Sequence, residues 1–291
     1  MGLIRKEDIH ESLLNSLNNP NILINGYFKN PINQRGLQSY SVESKYTIDR
    51  WKANGNAKID LVNNGIKITP LSNGVSWDGI KQYVEDFKSL SNKKITLSLK
   101  VNAINGTWAT YVQINDIENH GSLEFNETGI HSVTMDIGEM KDKEKLSVII
   151  DNNRSTFTPI EIEWVKLEIG DHHTEFVPRP YGEELALCQR YYECSVKHSR
   201  GLIGSELFRL NFDVQYKQTK RIIPTLKVYG LNNEEKTVVG KIGSEMNFPI
   251  NVYFNNNDGF GGIDVIDKKE QSFVVGEVFE MYGWEADAEI Y

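Results

Sequence analysis

Phe208, Leu210, Phe212, Val214 and Tyr216 alternate without a break with Arg209, Asn211, Asp213 and Gln215. A strand turns successive side chains to opposite faces, so a period of two specifies a half-buried β-strand and is incompatible with a helix. Ile95-Thr-Leu-Ser-Leu-Lys-Val101 carries the same signature, one face for a core and one for water. Ala57, Ile59 and Leu61 alternate with Lys58 and Asp60, and Asn63-Asn64-Gly65 then turns the chain into Ile66-Lys67-Ile68. Asn105-Gly106 marks a turn before Thr107–Ile114. Leu146–Ile150, Thr225–Tyr229 and Ile250–Phe254 add further short apolar runs. Many such runs between turn residues predict an all-β chain of antiparallel, jelly-roll-like β-sandwich modules.

Three stretches depart from simple alternation. In Ile160–Ile169 the residues Ile160, Ile162 and Trp164 share one parity, while Val165, Leu167 and Ile169 share the other. One regular strand cannot bury both sets, which predicts a β-bulge near Trp164–Val165 or a strand passing between sheets. Residues 3–18 place Ile9, Leu13 and Leu17 four apart, with Leu14 widening the stripe, and predict an N-terminal amphipathic α-helix ended by Asn18-Asn19-Pro20. Val177–Tyr192 opens as Pro-Arg-Pro, which neither helix nor central strand accommodates, and continues as a short helix with Glu183 and Glu184 in its first turn. The expected organisation is a helix at 1–19, a β-sandwich at 20–178, a linker with a short helix at 179–200 and a second β-sandwich at 201–291.

Length and charge narrow the function classes. The 291 residues suit two domains with real cores. A net charge of −8 argues against nucleic acid or an anionic membrane as partner. Cys188 and Cys194 allow no disulfide framework and no zinc spacing. No apolar run reaches membrane-spanning length, so membrane insertion is not expected. Met1–Lys6 is followed by charge rather than an apolar stretch, so the expectation is synthesis in the cytoplasm without a signal peptide.

Sugar recognition needs flat aromatic faces for pyranose C–H groups, with amides and carboxylates for the hydroxyls. Trp77, in Gly74-Val-Ser-Trp-Asp-Gly79, is one candidate. Trp108, Tyr111 and Gln113, just beyond the Asn105-Gly106 turn, form a candidate face. Tyr253 and Phe260 form a second patch, Phe260 at the centre of a flexible polar loop, Asn255-Asn-Asn-Asp-Gly-Phe-Gly-Gly262. Trp51 and Trp164 are assigned to core. Asp116 with Glu118 and Glu161 with Glu163 are same-face carboxylate pairs, but such pairs are ordinary on an acidic strand surface. His172 and His173 are adjacent and point oppositely on an extended chain, so they chelate no common ion. Gly259-Phe-Gly-Gly262 lacks the Lys-Ser/Thr of a phosphate loop. No enzyme, metal or cofactor is expected.

The run from Glu168 to Tyr192 resembles a junction in bacteriophage and prophage tail-fibre or receptor-binding proteins. Asn21–Phe28 is similar to their N-terminal strand, and Glu285–Ile290 to their last residues. The first module also resembles carbohydrate-binding-module sandwiches, through Asn25-Gly-Tyr-Phe28, Trp51, Trp77–Gln82 and the strand at Ile95. That family often holds a structural calcium through an acidic residue after Asn-Gly; Tyr27 stands there in this chain. The resemblance implies a non-enzymatic component of a virion or phage-tail-like particle that attaches to bacterial cell-surface polysaccharide. It implies a homo-oligomer, commonly a trimer, with the N-terminal helix meeting other tail or baseplate proteins. The alternative is a purely structural tail or baseplate component. Exposed aromatics at Trp77, Trp108 and Tyr111 count against that alternative, and buried ones count for it.

Overall fold

The computed structural model describes residues 19–72, 77–142, 144–153, 157–197, 199–203, 209–235, 237–239, 247–265 and 275–290, with backbone alone at 237–239, 247–249, 253, 254 and 265. The helix expected over residues 3–18 lies outside the described residues. The chain divides into two units, Met1–Glu184 and Leu185–Tyr291. Among the described residues no helix is long and apolar enough to cross a membrane.

The strands of the first unit are β1 Ser39–Glu43, β2 Lys52–Asn54, β3 Asn56–Val62, β4 Gly65–Pro70, β5 Gly79–Val84 and β6 Lys94–Ile104. They continue with β7 Trp108–Ile114, β8 Glu118–Phe125, β9 Gly129–Asp136, β10 Leu146–Asp151 and β11 Ile160–Ile169. Sheet I has the order β1-β3-β4-β11-β6-β9 and sheet II the order β2-β5-β10-β7-β8. Their inner faces share one core that includes Trp51, Ile59, Leu97, Trp108, Val148 and Val165. Each such fully buried aliphatic side chain contributes about 1.5–3 kcal/mol. Val62 pairs with Gly65 across Asn63-Asn64, so β3 and β4 form the hairpin that the turn residues announced. Asn105-Gly106 does something different: it carries the chain from β6 in sheet I to β7 in sheet II.

The doubled apolar parity of β11 is resolved by a bulge. Its register against β6 shifts between Glu161 and Ile162 and again between Ile162 and Trp164. Ile160, Ile162, Val165 and Leu167 therefore all reach the core, while β11 stays within sheet I. Trp164 is buried, as assigned, but it is not part of that core. It lies on the outer face and stacks on Phe176, ring centroids 4.8 Å apart and 6° from parallel.

Two expectations about this unit are corrected. The second face of Ile95–Val101 does not meet water at Thr96 and Ser98, both fully buried. The segment after β11 turns back over this face, and Gly170 O accepts a hydrogen bond from Thr96 Oγ1 at 3.0 Å. Asn21–Phe28 is not a regular strand. It runs irregularly beside β11, with Ile22 N donating to Leu167 O at 2.8 Å and Phe28 N to Glu163 O at 2.8 Å.

Helix α1, Tyr181–Gln189, follows the prolines. Glu184 does more than favour the helix N-terminus: its Oε1 accepts Asn25 N at 2.6 Å and pairs with Arg179 Nη1 at 3.1 Å. Beyond it come β12 Tyr192–Ser195, β13 Ser199–Ile203, β14 Arg209–Asn211, β15 Val214–Gln215 and β16 Thr225–Tyr229. The last strands are β17 Thr237–Val239, β18 Asn247–Asn255, β19 Gly259–Val265, β20 Val278–Met281 and β21 Gly283–Asp287. One sheet is β12-β21-β16; the larger is β14-β13-β20-β17-β18-β19-β15, and β14 also pairs with β19, so it closes on itself. Residues 192–195, expected in a linker, are a strand of this unit. They are held by β21, and by buried Glu193, which receives Lys220 Nζ at 2.6 Å.

The long strand expected over Phe208–Tyr216 is interrupted; Phe208 itself lies outside the described residues. Leu210 pairs with Ile263 and Val214 with Phe260, four steps against three, so one extra residue bulges between β14 and β15. The flexible loop expected over Asn255–Gly262 is instead a tight turn followed by β19. Asn256 Oδ1 accepts Asp258 N at 2.8 Å and Gly259 N at 2.9 Å, and Phe260 is buried in the second core beside Tyr216 and Trp284.

Candidate functional site

Sheet II gives its odd-numbered positions on β7 to the face away from the core. Trp108, Val112 and Ile114 point inward; Ala109, Tyr111 and Gln113 point outward. The same alternation on β10 turns out Ser147, Ile149 and Asp151, and on β5 Lys81 and Tyr83. Pairing lines these groups up across the sheet. Tyr83 lies opposite Ser147, which lies opposite Gln113, which lies opposite Asn119 on β8. In the next row Lys52 lies opposite Lys81, then Ile149, then Tyr111.

The polar atoms on this face are specifically arranged. Tyr83 donates its hydroxyl to Asp116 Oδ1 at 3.0 Å, and Tyr111 donates to Asp151 Oδ2 at 2.7 Å. Burial, reinforced by the carboxylate each one faces, pushes both phenols well above the ordinary tyrosine range. Gln113 Nε2 donates to Asn119 Oδ1 at 3.0 Å. Ser147 Oγ is buried and has no hydrogen-bond partner among the described residues. Lys81 Nζ lies 3.6 Å from Asp116 Oδ1 and 5.2 Å from the centre of the Tyr83 ring, with Lys145 Nζ 5.9 Å from the same ring. Burial, then the charges of Lys81 and Lys145, lower the Lys52 pKa, against the opposing field of Asp116. Ammonium, amide and hydroxyl donors thus share one sheet face with carboxylate acceptors and two aromatic rings. That is an inventory suited to hydroxyl-rich ligands.

No protein-family model matches this sequence, and no curated protein matches it. Solved structures give remote likenesses. One is an arabinose-bound α-L-arabinofuranosidase, at 13% identity and TM-score 0.29, covering 53% of this chain and 30% of that one. A second is the Clostridium thermocellum xylanase 10B portion holding CBM22-1 and GH10 modules with xylohexaose, at 12% and 0.32, covering 56% and 30%. A third is the CBM22-1–CBM22-2 tandem of Paenibacillus barcinonensis Xyn10C, at 10% and 0.31, covering 87% and 97%. This chain therefore spans less than a third of the first two. At these scores the likenesses carry no argument, and the sandwich stands on its own topology.

Of the six residues singled out from sequence, the structure brings together Tyr111 and Gln113. Trp108 is corrected to core: it is fully buried, because its even parity turns it away from Tyr111 and Gln113. Phe260 is likewise core, at 2% exposure. Trp77 is half-buried just before β5, its carbonyl accepting Asn54 Nδ2 at 3.0 Å. Tyr253 lies on β18, and its side chain is outside the described residues. Tyr83, Lys52, Lys81, Lys145, Ser147 and Asn119 were missed. Tyr83 and Lys81 were readable in Gly79–Val84, where Ile80 and Val84 share one parity and Lys81 and Tyr83 the other.

Two further clefts lie among the described residues. On sheet I, Lys100, Ile130, Trp164, His173 and Phe176 help line about 500 Å³. In the second unit, Asp213, Gln215, Asn256 and Asp258 help line about 490 Å³ beside Phe260. Among the described residues no three His, Cys, Asp or Glu side chains are grouped to hold a metal ion.

Proposed function

We propose that this chain is a non-enzymatic glycan-binding protein whose ligand lies on the outer face of sheet II. We propose further that it serves as a tail-fibre or receptor-binding component, attaching a phage or phage-tail-like particle to bacterial surface polysaccharide. The observation that carries the binding reading is the row Tyr83–Ser147–Gln113–Asn119, hydroxyls and amides spaced one strand apart beside two tyrosine rings. Neighbouring strands lie about 4.8 Å apart, so the groups of one row can face several hydroxyls of one ligand at once. The particle assignment is supported by the resemblance of residues 168–192 to tail-fibre junctions. Weak sites of this kind gain strength by repetition, which is the reason for expecting an oligomer.

A second reading, a tail or baseplate component making protein contacts alone, is favoured by one observation: Trp108 and Tyr111 are buried rather than displayed. The test is retention of the full-length fluorescent chain on bacterial cell walls, with soluble wall polysaccharide as competitor. Retention that is competed, and that the double variant Gln113→Ala, Asn119→Ala loses, supports glycan binding. Lack of retention on every wall tested overturns it in favour of protein contacts.

A further inference from the structure

We propose that the cleft of about 490 Å³ in the second unit is a second saccharide site, which takes a neutral sugar by its hydroxyls. It stands on other residues than the face of sheet II and goes beyond that reading.

Two irregular segments meet at this cleft. The bulged run between β14 and β15 brings Asp213 and Gln215 to it, and the tight turn between β18 and β19 brings Asn256 and Asp258. A bulge bends its strand and re-aims the side chains beside it. Half-buried Val214 and buried Phe260 also line the cleft, which falls in the size range of small-ligand sites, about 300–1,000 Å³.

Its polar atoms are fixed in place yet have bonding capacity left over. Asn256 Oδ1 accepts Asp258 N and Gly259 N, which holds the amide and leaves Nδ2 as a donor with no protein partner among the described residues. Asp258 is held at both ends: its carbonyl accepts Tyr216 N at 2.8 Å and its Oδ1 accepts Thr219 Oγ1 at 2.8 Å. Its Oδ2 is left as an acceptor. Asp213 and Gln215 add an exposed carboxylate and an exposed amide, neither side chain having a partner among the described residues.

This set selects between ligand classes. A hydroxyl donates and accepts at one oxygen, so it uses an amide donor and a carboxylate acceptor together. An anion meets two carboxylates, and among the described residues no lysine or arginine lines the cleft. An ammonium has no lone pair for the amide donors. A metal ion finds no group of three His, Cys, Asp or Glu side chains among the described residues. Several hydroxyls on a ring that also presents C–H groups use both amides, both carboxylates and the apolar wall, and a neutral sugar is such a ligand.

The experiment is calorimetric titration of the full-length chain carrying Gln113→Ala and Asn119→Ala, so that binding on sheet II does not contribute. The probes are the neutral hexamers of glucose, xylose and N-acetylglucosamine, with the galacturonate hexamer as the anionic counterpart. A neutral hexamer is expected to bind, and the galacturonate hexamer to bind about tenfold more weakly or not at all. Asn256→Asp keeps the Oδ1 that holds the turn and replaces the Nδ2 donor by an acceptor, and is expected to weaken binding about tenfold. Asp213→Asn, at an exposed side chain without a partner among the described residues, is expected to weaken it by about threefold to tenfold. Thermal midpoints report folding; if Asn256→Asp lowers the midpoint, Asp213→Asn decides. Binding that both folded variants leave unchanged overturns the site. Binding by the unaltered chain that is wholly lost in the Gln113→Ala, Asn119→Ala background overturns it and leaves the sheet II reading standing. Tighter binding of the galacturonate hexamer overturns the neutral class. Absence of binding by the unaltered chain and the background alike overturns this site and removes support from sheet II as well.

Discussion

Replacing Glu168 by Gln tests the strap that closes the outer face of sheet I. Glu168 is fully buried and Lys166 is 1% exposed, with Nζ 3.1 Å from Oε2. Both are tied to Thr174, the point where the strap crosses: Thr174 N donates to Glu168 Oε1 at 2.9 Å, and Lys166 Nζ donates to Thr174 Oγ1 at 2.6 Å and to Glu175 O at 3.0 Å. The amide keeps the shape and removes the charge that faces the buried Lys166 ammonium. Breaking one side of such a pair costs about 3–5 kcal/mol. Removing both charges with Lys166→Met and Glu168→Leu replaces the pair by apolar groups of similar volume, and is expected to cost less than the single change. The assay is urea unfolding of the full-length chain followed by tryptophan fluorescence, since Trp164 stacks on Phe176 of the same strap. A single variant costing under about 1 kcal/mol, or a double variant costing the sum of its parts, refutes the account of the strap as an ion-paired closure.

Alkaline titration gives a second check. Burial pushes the Tyr40 phenol up to about 12, and drives Tyr83, Tyr111, Tyr216 and Tyr229 upward as well. Each folded phenol keeps its proton where the unfolded chain has lost it, so the stabilisation is complete below about pH 10 and is lost as pH rises beyond it. Tyrosinate absorbance is expected to lag behind an unfolded control until the chain unfolds, whereas simultaneous titration of all 13 tyrosines contradicts this. Gly65→Ala is expected to destabilise by more than about 1 kcal/mol in denaturant titration. Gly65 holds φ +149°, and a Cβ there would lie 2.0 Å from Ile162 O. Trp51→Ala is expected to cost about 3–5 kcal/mol by the same assay, because it empties the centre of the first core. It also removes the donor to Asn25 O at 2.8 Å.

Alternation made the strands legible, because burial of one face is what writes it. It served well for Ala57–Leu61, and it located the irregularity in β11 to within a residue or two; Leu146–Ile150 was legible instead as a short apolar run, buried on both faces. It misled where a third layer covers the polar side: nothing local to Thr96 or Ser98 tells that Gly170–Phe176 returns over them. Phe260 misled for a related reason, since glycines and asparagines around it imitate a loop. Gly259 and Gly261 are instead small because their Cβ positions would lie 2.3 Å from Val214 O and 2.5 Å from Phe212 O, across the β15–β19 pairing. The site was half legible. Parity alone separates Trp108 from Tyr111 and Gln113, and applying it to β5 leads to Lys81 and Tyr83. The meeting of β5, β10 and β7 is a matter of strand order, which no local pattern states.

Backbone amide exchange of the full-length chain, with and without fragments of a polysaccharide that retains it, tests the central claim most directly. Protection concentrated in residues 79–84, 108–114, 118–125 and 146–151 is the result expected of a ligand on the outer face of sheet II. Protection confined to residues 212–216 and 256–261, or to 173–176 beside Trp164, contradicts that placement.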